Sequence, residues 1–361
     1  MLINANALAI PLAAKSVHTI VTSPPYYGLR DYGVDGQIGL EQTPDAYIAN
    51  LVQVFRECKR ILRDDGTLWV NIGDSYASNG CYINAWMAKE SNKDKHHLHS
   101  ENYDRYADRK AIRGGEGNIK GKDLIGIPWM LAFALRADGW YLRQDIIWAK
   151  PNPMPESVKD RCTKSHEYIL LLSKSARYYY DSEAIMEVAT GYDGRKDTMM
   201  KGSAKYANGF VPSEPAQSMA VKGHERWQYK NLQPDGQQPN TMHLNRLEGN
   251  EYMSPVRNKR DVWTVTTKPY KGAHYATFNP ELIKPCILAG APVDGIVFDP
   301  FVGSGTTVAT AIQLGRKGIG LDLSLTYLCV NAKGRIKAEM LPLLTLIKQT
   351  KEQTCINKSQ L

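Results

Sequence analysis

The sequence predicts a doubly wound, mostly parallel α/β sheet to which both halves of the chain contribute strands. Two observations carry this: short β-branched apolar runs alternate with segments of helical period, and several runs end abruptly at proline or glycine turns. Val17-His-Thr-Ile-Val-Thr22 is the first such run, stopped by a proline pair that cannot continue a central ladder. Over residues 44–62, Tyr47, Ile48, Leu51, Val54, Phe55 and Ile61 recur at helical spacing, and residues 66–72 then read as a buried strand. A helix is expected over 123–137 and strands over 140–149 and 166–173. Between those strands lies Lys150-Pro-Asn-Pro-Met-Pro-Glu156, too rich in proline for either regular element. Beyond Val262-Trp-Thr-Val265 the pattern is helix (280–289), strand (295–299), glycine turn, helix closed by Gly315, strand (317–321) and a last helix from Ser324.

Two stretches break the alternation. Residues 75–120 have no sustained period, and residues 189–260 gain Gly, Pro, Gln and Asn, with eleven Lys and Arg against seven Asp and Glu. The expected organisation is one domain in two halves, 1–188 with a loop insertion at 75–120 and 261–340, separated by a basic insert at 189–260 and followed by a tail, 341–361. Overall, 45 Lys and Arg against 37 Asp and Glu give a net charge of +8, which favours a polyanionic partner. The cysteines at 58, 81, 162, 286, 329 and 355 form no Cys-x-x-Cys pair and have no histidine at ligand spacing, so neither disulfides nor a metal site are expected. They read as reduced thiols of a cytoplasmic protein. With no basic-then-apolar leader and no run of about 18 apolar residues, no membrane segment is expected.

Asp299-Pro-Phe-Val-Gly-Ser-Gly-Thr-Thr307 falls where a strand gives way to a helix, at the sheet edge where open α/β proteins bind ligands. Gly303 and Gly305 let the backbone approach a ligand, with Asp299, Phe301, Ser304 and Thr306 beside them. The lysine of a triphosphate-gripping loop is missing, and so is the third glycine of the dinucleotide fingerprint. The next strand ends at Asp322, whose carboxylate can accept hydrogen bonds from two ribose hydroxyls. A ribose-bearing cofactor that needs no pyrophosphate grip is expected.

Thr22-Ser-Pro-Pro-Tyr26 also follows its strand directly, so the two turns can share one cleft. Pro24 and Pro25 stiffen the backbone and aim the Ser23 side chain and the Pro24 carbonyl as fixed acceptors, while Tyr26 offers a flat face for stacking. An aromatic amine is a poor nucleophile because its lone pair is delocalised. Two acceptors binding its N–H hydrogens would favour the pyramidal nitrogen of a transition state.

Together these two turns resemble those of the amino-methylating DNA methyltransferases, the cytosine-N4 and adenine-N6 enzymes, in the β arrangement that places the catalytic motif before the cofactor motif. The likeness extends to Leu68-Trp-Val-Asn-Ile-Gly-Asp-Ser-Tyr76, Arg143-Gln-Asp-Ile-Ile-Trp148, Pro155-Glu-Ser-Val158, His166-Glu-Tyr168 and His274-Tyr-Ala-Thr-Phe278. The resemblance implies a Rossmann-like, S-adenosylmethionine-dependent fold. By it, Ser23, Pro24 and Tyr26 would hold a flipped base, Phe301, Gly303 and Gly305 would surround the methionine part of the cofactor, and Asp322 would take the ribose. Thr277 and Phe278 would help close the pocket, and the 189–260 insert would read the target. Arg30, Arg161, Lys164, Arg257, Lys259 and Arg260 would meet double-stranded DNA. No metal is expected, because the leaving group is neutral. A cognate restriction endonuclease and a monomeric or homodimeric state are compatible with this reading.

Ser23 favours cytosine N4, since the adenine enzymes of this family more often carry Asp there; adenine N6 is the alternative. Members often have an acidic residue before the first motif strand, where this chain has Asn6 as an uncharged candidate for cofactor contact. That difference motivates a second alternative, a catalytically silent DNA-binding homologue. Methyltransferases of RNA or of protein glutamine share Pro-Pro-Tyr turns but usually open them with Asn, against which Ser23 argues. Cys286 lies in a predicted helix and does not fit the nucleophile of carbon-5 methylation, and Asp74 reads as an acidic turn residue before it reads as a cleft residue.

Overall fold

In the computed structural model, which describes residues 1–29, 31–77, 119–188, 256–267 and 279–337, the apolar runs assemble into one eight-stranded sheet. The first half supplies β1 (Leu2–Asn4), β2 (Val17–Thr22), α1 (Pro44–Ile61), β3 (Leu62–Ile72), α2 (Ile127–Ala137), β4 (Tyr141–Ala149), β5 (His166–Ser173) and β6 (Glu187–Val188). The second supplies β7 (Val256–Arg257), β8 (Val262–Thr264), α3 (Pro280–Gly290), β9 (Ile296–Asp299), α4 (Thr306–Gln313) and β10 (Lys317–Asp322). Strand order is β1-β10-β9-β2-β3-β5-β4-β8, so strands of the second half sit between strands of the first. All pair in parallel except β5, which runs antiparallel to both β3 and β4. From β2 the chain leaves through α1 to β3 on one side, and from β9 through α4 to β10 on the other. The strand order therefore reverses between β2 and β9, and their carboxyl ends open a crevice at that switch point.

The core explains why these segments take these forms. Thr43 caps α1 by accepting from the Ala46 N–H, Pro44 fits the first turn, and the helix buries Tyr47, Leu51, Val54 and Phe55 completely. They join Leu68, Val70, Ile72, Leu170 and Leu172 of the sheet in one cluster. Each large apolar side chain so buried contributes roughly 1.5–3 kcal/mol.

Two element starts and the character of one helix differ from expectation. Helix α2 begins at Ile127 rather than at 123, because Gly126 takes the left-handed conformation (φ 87°) and ends the preceding turn. Strand β3 starts at Leu62, straight from the end of α1. The last helix contains a π-helical stretch, Tyr327–Ala332. The chain divides into two compact units, Met1–Ala184 with Arg260–Leu361, and Ile185–Lys259. Within the second, β6 pairs antiparallel with β7. Most of the expected 75–120 insertion and 189–260 insert, and all of the 341–361 tail, lie outside the described residues. Among the described residues no helix is long and apolar enough to cross a membrane.

Candidate active site

The two motif turns are tied together at the switch point. Thr22, the last residue of β2, donates its hydroxyl to Asp299 Oδ1 at 2.6 Å, and Thr307 donates to Oδ2 at 2.6 Å. The Phe301 N–H adds a third donor at 3.0 Å. Asp299, expected beside the cofactor, is only 1% exposed and lies beneath the turn, where it sets the position of both motifs. Burial pushes its carboxyl up to about 6, against the three hydrogen bonds that favour the charge. The folded state thus holds this proton more tightly than the unfolded one. The stability so contributed is fully present below the ordinary value of 3.8 and is lost as pH rises through about 6. Relative to Asp299→Asn, the native chain is expected to lose on the order of 3 kcal/mol of unfolding free energy between pH about 4 and about 7. Parallel denaturant titrations check this, and a difference that stays constant with pH contradicts it.

In the glycine turn, the Gly303 N–H donates to Asp322 Oδ2 at 3.0 Å and the Ser324 N–H to Oδ1 at 2.8 Å. Burial raises the Asp322 carboxyl above its ordinary value, against the backbone N–H groups of Ser324, Gly303 and Leu323, which together leave one of its four acceptor positions for a further donor. Phe301, Gly303 and Asp322 remain partly exposed, whereas Ser304, Gly305 and Thr306 are buried. The Ser304 and Thr306 hydroxyls bond each other at 3.2 Å, and Arg335 reaches Ser304. Gly305 has φ 81°, and a Cβ there would lie 3.0 Å from the Ala332 Cα. These three residues, expected around the cofactor, also hold the turn against the last helix. A partly exposed carboxylate at a strand end, beside a glycine turn, fits a ribose diol. S-adenosylmethionine therefore suits the residues present. Asn6 lies just past β1, whose Asn4 is in register with Asp322, and is exposed with its Oδ1 taken by the Leu8 N–H. Thr277 and Phe278 lie outside the described residues; the next residue, Asn279, caps α3.

The proline turn is gripped from below. Tyr47 of α1 donates to the Pro25 carbonyl at 2.7 Å, while among the described residues nothing donates to the buried Pro24 carbonyl. Tyr26 is anchored through its hydroxyl, which donates to Glu167 Oε2 at 2.6 Å. Gly73 lies against the ring, where a Cβ would come within 2.8 Å of Tyr26 Cε2. Burial first, then the Glu167 charge, hold the phenol well above its ordinary value, so it stays neutral. Ser23 is partly exposed. Around Glu167 are Asn71, whose amide donates to it at 3.2 Å, and Lys150, which forms an ion pair with it. Sequence reasoning gave Glu167, Asn71, Lys150, Thr22 and Thr307 no role. The available signal was a carboxylate and an amide placed within apolar strand sequences.

A pocket of about 420 Å³ opens beside Trp129, Arg161, Lys164, His166 and Tyr168. His166 and Tyr168 flank Glu167 on β5, so alternation puts their side chains on the opposite sheet face from the Tyr26 anchor. Arg161 lies 3.8 Å over the Tyr76 ring and pairs with Glu156. Lys164 is partly buried, and burial lowers its ammonium below its ordinary value. Arg257 bonds Glu187 at 3.0 Å within the second unit; Lys259 is partly exposed, Arg260 is exposed, and Arg30 lies outside the described residues. Asp74 takes the N–H groups of Gly126 and Ile127 at 3.0 Å each and so serves the start of α2. Cys286 is 1% exposed inside α3, as its helical position predicted. Among the described residues no cluster of His, Cys, Asp or Glu could hold a metal ion.

Residues 17–333 match the family model described as DNA methylase. The chain is 42% identical to the type II methyltransferase M.Cfr9I of Citrobacter freundii over 330 residues, covering 91% of this chain and 84% of that protein. It is also 42% identical to M.SmaI of Serratia marcescens over 317 residues, covering 88% and 83%. The solved PvuII DNA methyltransferase, named as cytosine-N4-specific, superposes with a TM-score of 0.52 at 14% identity over 95% of this chain and 92% of that one. TTHA0409 of Thermus thermophilus, solved with S-adenosyl-L-methionine, gives 0.51 at 19% identity over 94% and 93%. At these identities the two structures share the fold.

Proposed function

This chain belongs to the N6/N4 DNA methylase family, and we propose that within it the chain methylates the N4 amine of cytosine in double-stranded DNA. It is an S-adenosylmethionine-dependent DNA methyltransferase. When bound, the cofactor supplies an electrophilic methyl group on a sulfonium whose departure leaves a neutral thioether. Asp322 and the Gly303 backbone would hold it at one strand end, and Phe301 would line its methionine part.

The amine cannot meet an in-line methyl donor while its base is stacked, so the base must leave the duplex. Tyr26 then offers a ring that Glu167 and Gly73 keep in one orientation. The observation that carries the reading is the Pro24 carbonyl, which has no donor among the described residues, while the neighbouring Pro25 carbonyl is taken by Tyr47. A buried acceptor left open in this way suits an incoming N–H. With Ser23 as second acceptor, the amine nitrogen is drawn toward the pyramidal geometry of the displacement. Ser23 in place of Asp supports cytosine over adenine.

Lys164 and Arg161 would meet phosphates near the extruded base, and the 189–260 segment would read the target sequence. The relatives' type II names suit pairing with a restriction endonuclease of the same specificity. Genomic DNA from cells expressing the chain, digested to nucleosides, is expected to contain N4-methyldeoxycytidine absent from control cells. N6-methyldeoxyadenosine instead would overturn the base assignment.

A further inference from the structure

The group beneath the catalytic turn has an order that plain packing does not require. Glu167 is a carboxylate with a side chain only 15% exposed, and its partner Lys150 is 17% exposed. A partly buried ion pair of this kind is a doubtful source of stability, because desolvation offsets the attraction. Its geometry is more specific than its energy. Oε1 goes to Lys150, while Oε2 receives both the Tyr26 hydroxyl at 2.6 Å and the Asn71 amide at 3.2 Å. Asn71 is itself fixed by donating to the Tyr168 carbonyl at 3.1 Å, and Lys150 is steadied over the Trp148 ring at 4.4 Å. Asn71 of β3 and Lys150 just beyond β4 thus converge on the Glu167 carboxylate of β5, which holds the Tyr26 phenol.

We propose that Glu167 is a positioning residue for methyl transfer: neutralised by Lys150 and steadied by Asn71, it fixes the Tyr26 ring against which the flipped base stacks. This rests on the reading of Tyr26 given above. A tyrosine beside an open turn would otherwise rotate about its side-chain bonds, and a misplacement of about 1 Å in a reacting pair can lower a rate roughly a hundredfold. The phenol remains neutral, so its proton stays on the oxygen, donated to the Glu167 carboxylate, and no proton changes place.

Five proteins test this: the native chain, Tyr26→Phe, Glu167→Ala, the double variant of these two, and Glu167→Gln. Single-turnover methylation and cofactor affinity are read in each, and the 13C resonance of Tyr26 Cζ in those that keep Tyr26. Tyr26→Phe, which removes only the hydroxyl, is expected to lower the single-turnover rate roughly tenfold, and Glu167→Ala at least as much. Cofactor affinity should stay within about twofold in both. Adding Glu167→Ala to Tyr26→Phe should then cost little more, because one interaction has been removed twice. Glu167→Gln, which keeps an acceptor, should restore most of the rate. Additive losses, or an unchanged rate in Tyr26→Phe, would overturn the proposal. If Glu167→Ala fails to fold, the Tyr26→Phe and Glu167→Gln arms still decide it. The Cζ resonance needs no turnover: it should shift in Glu167→Ala and return toward native in Glu167→Gln. A shift without any DNA methylation by the native chain would uphold the anchor while removing the function it serves, and no shift would refute the anchor itself.

Discussion

Tyr26→Ala is expected to lower methyl transfer by about two orders of magnitude or more while leaving S-adenosylmethionine affinity within about twofold. The ring is the one large aromatic surface in the catalytic turn, and its loss removes both the stack and the hydroxyl that ties the turn to Glu167. The residues proposed for the cofactor lie on the other side of the switch point, at the ends of β9 and β10, and keep their own supports through Asp299 and Asp322. Binding of the cofactor, measured calorimetrically, and rate, measured in a single turnover, should therefore separate. Unaltered turnover would remove Tyr26 from the base site.

Asp322→Ala should show the opposite split. Cofactor affinity is expected to fall roughly ten- to a hundredfold, the effect of losing hydrogen bonds to a charged acceptor. The Gly303 and Ser324 N–H groups also lose their common partner, so the turn itself loosens. At saturating cofactor the transfer rate should recover much of its native value, because Ser23, Pro24 and Tyr26 are untouched. An unchanged dissociation constant would take Asp322 out of the cofactor site. The raised Asp322 carboxyl adds a direction to the native profile: cofactor binding should weaken on acidification at higher pH than an ordinary aspartate would dictate.

Much of this site was legible because its residues follow strands. Ser23-Pro-Pro-Tyr26 and Asp322 are marked in the sequence by the apolar runs that end at them, and a strand end in an open parallel sheet is already a place. The β-branched run of β2 and the helical period of α1 are local signals, and they persist in the fold. The roles of Ser304, Gly305 and Thr306 were not legible. A glycine turn that faces a ligand and one that faces a helix read alike, and only the approach of Ala332 distinguishes them. The supporting role of Asp299 was not legible either, since its three donors come from positions 22, 301 and 307. Glu167 meets Tyr26 across 141 positions and Asn71 across 96, so no spacing rule could have joined them. Asp74 shows the converse: the choice between turn residue and cleft residue depended on where α2 begins, which Gly126 decides.

The central claim is that the two turns, joined by Thr22 and Asp299, bring a methyl donor and a base amine into one cleft. It is tested most directly by incubating the pure protein with unmethylated duplex DNA and methyl-labelled S-adenosylmethionine, digesting to nucleosides and identifying the labelled product by mass spectrometry. The account predicts label on cytosine N4, lost in Tyr26→Ala. Label on carbon 5 of cytosine, or an absence of label on DNA that contains every short target sequence, would contradict it.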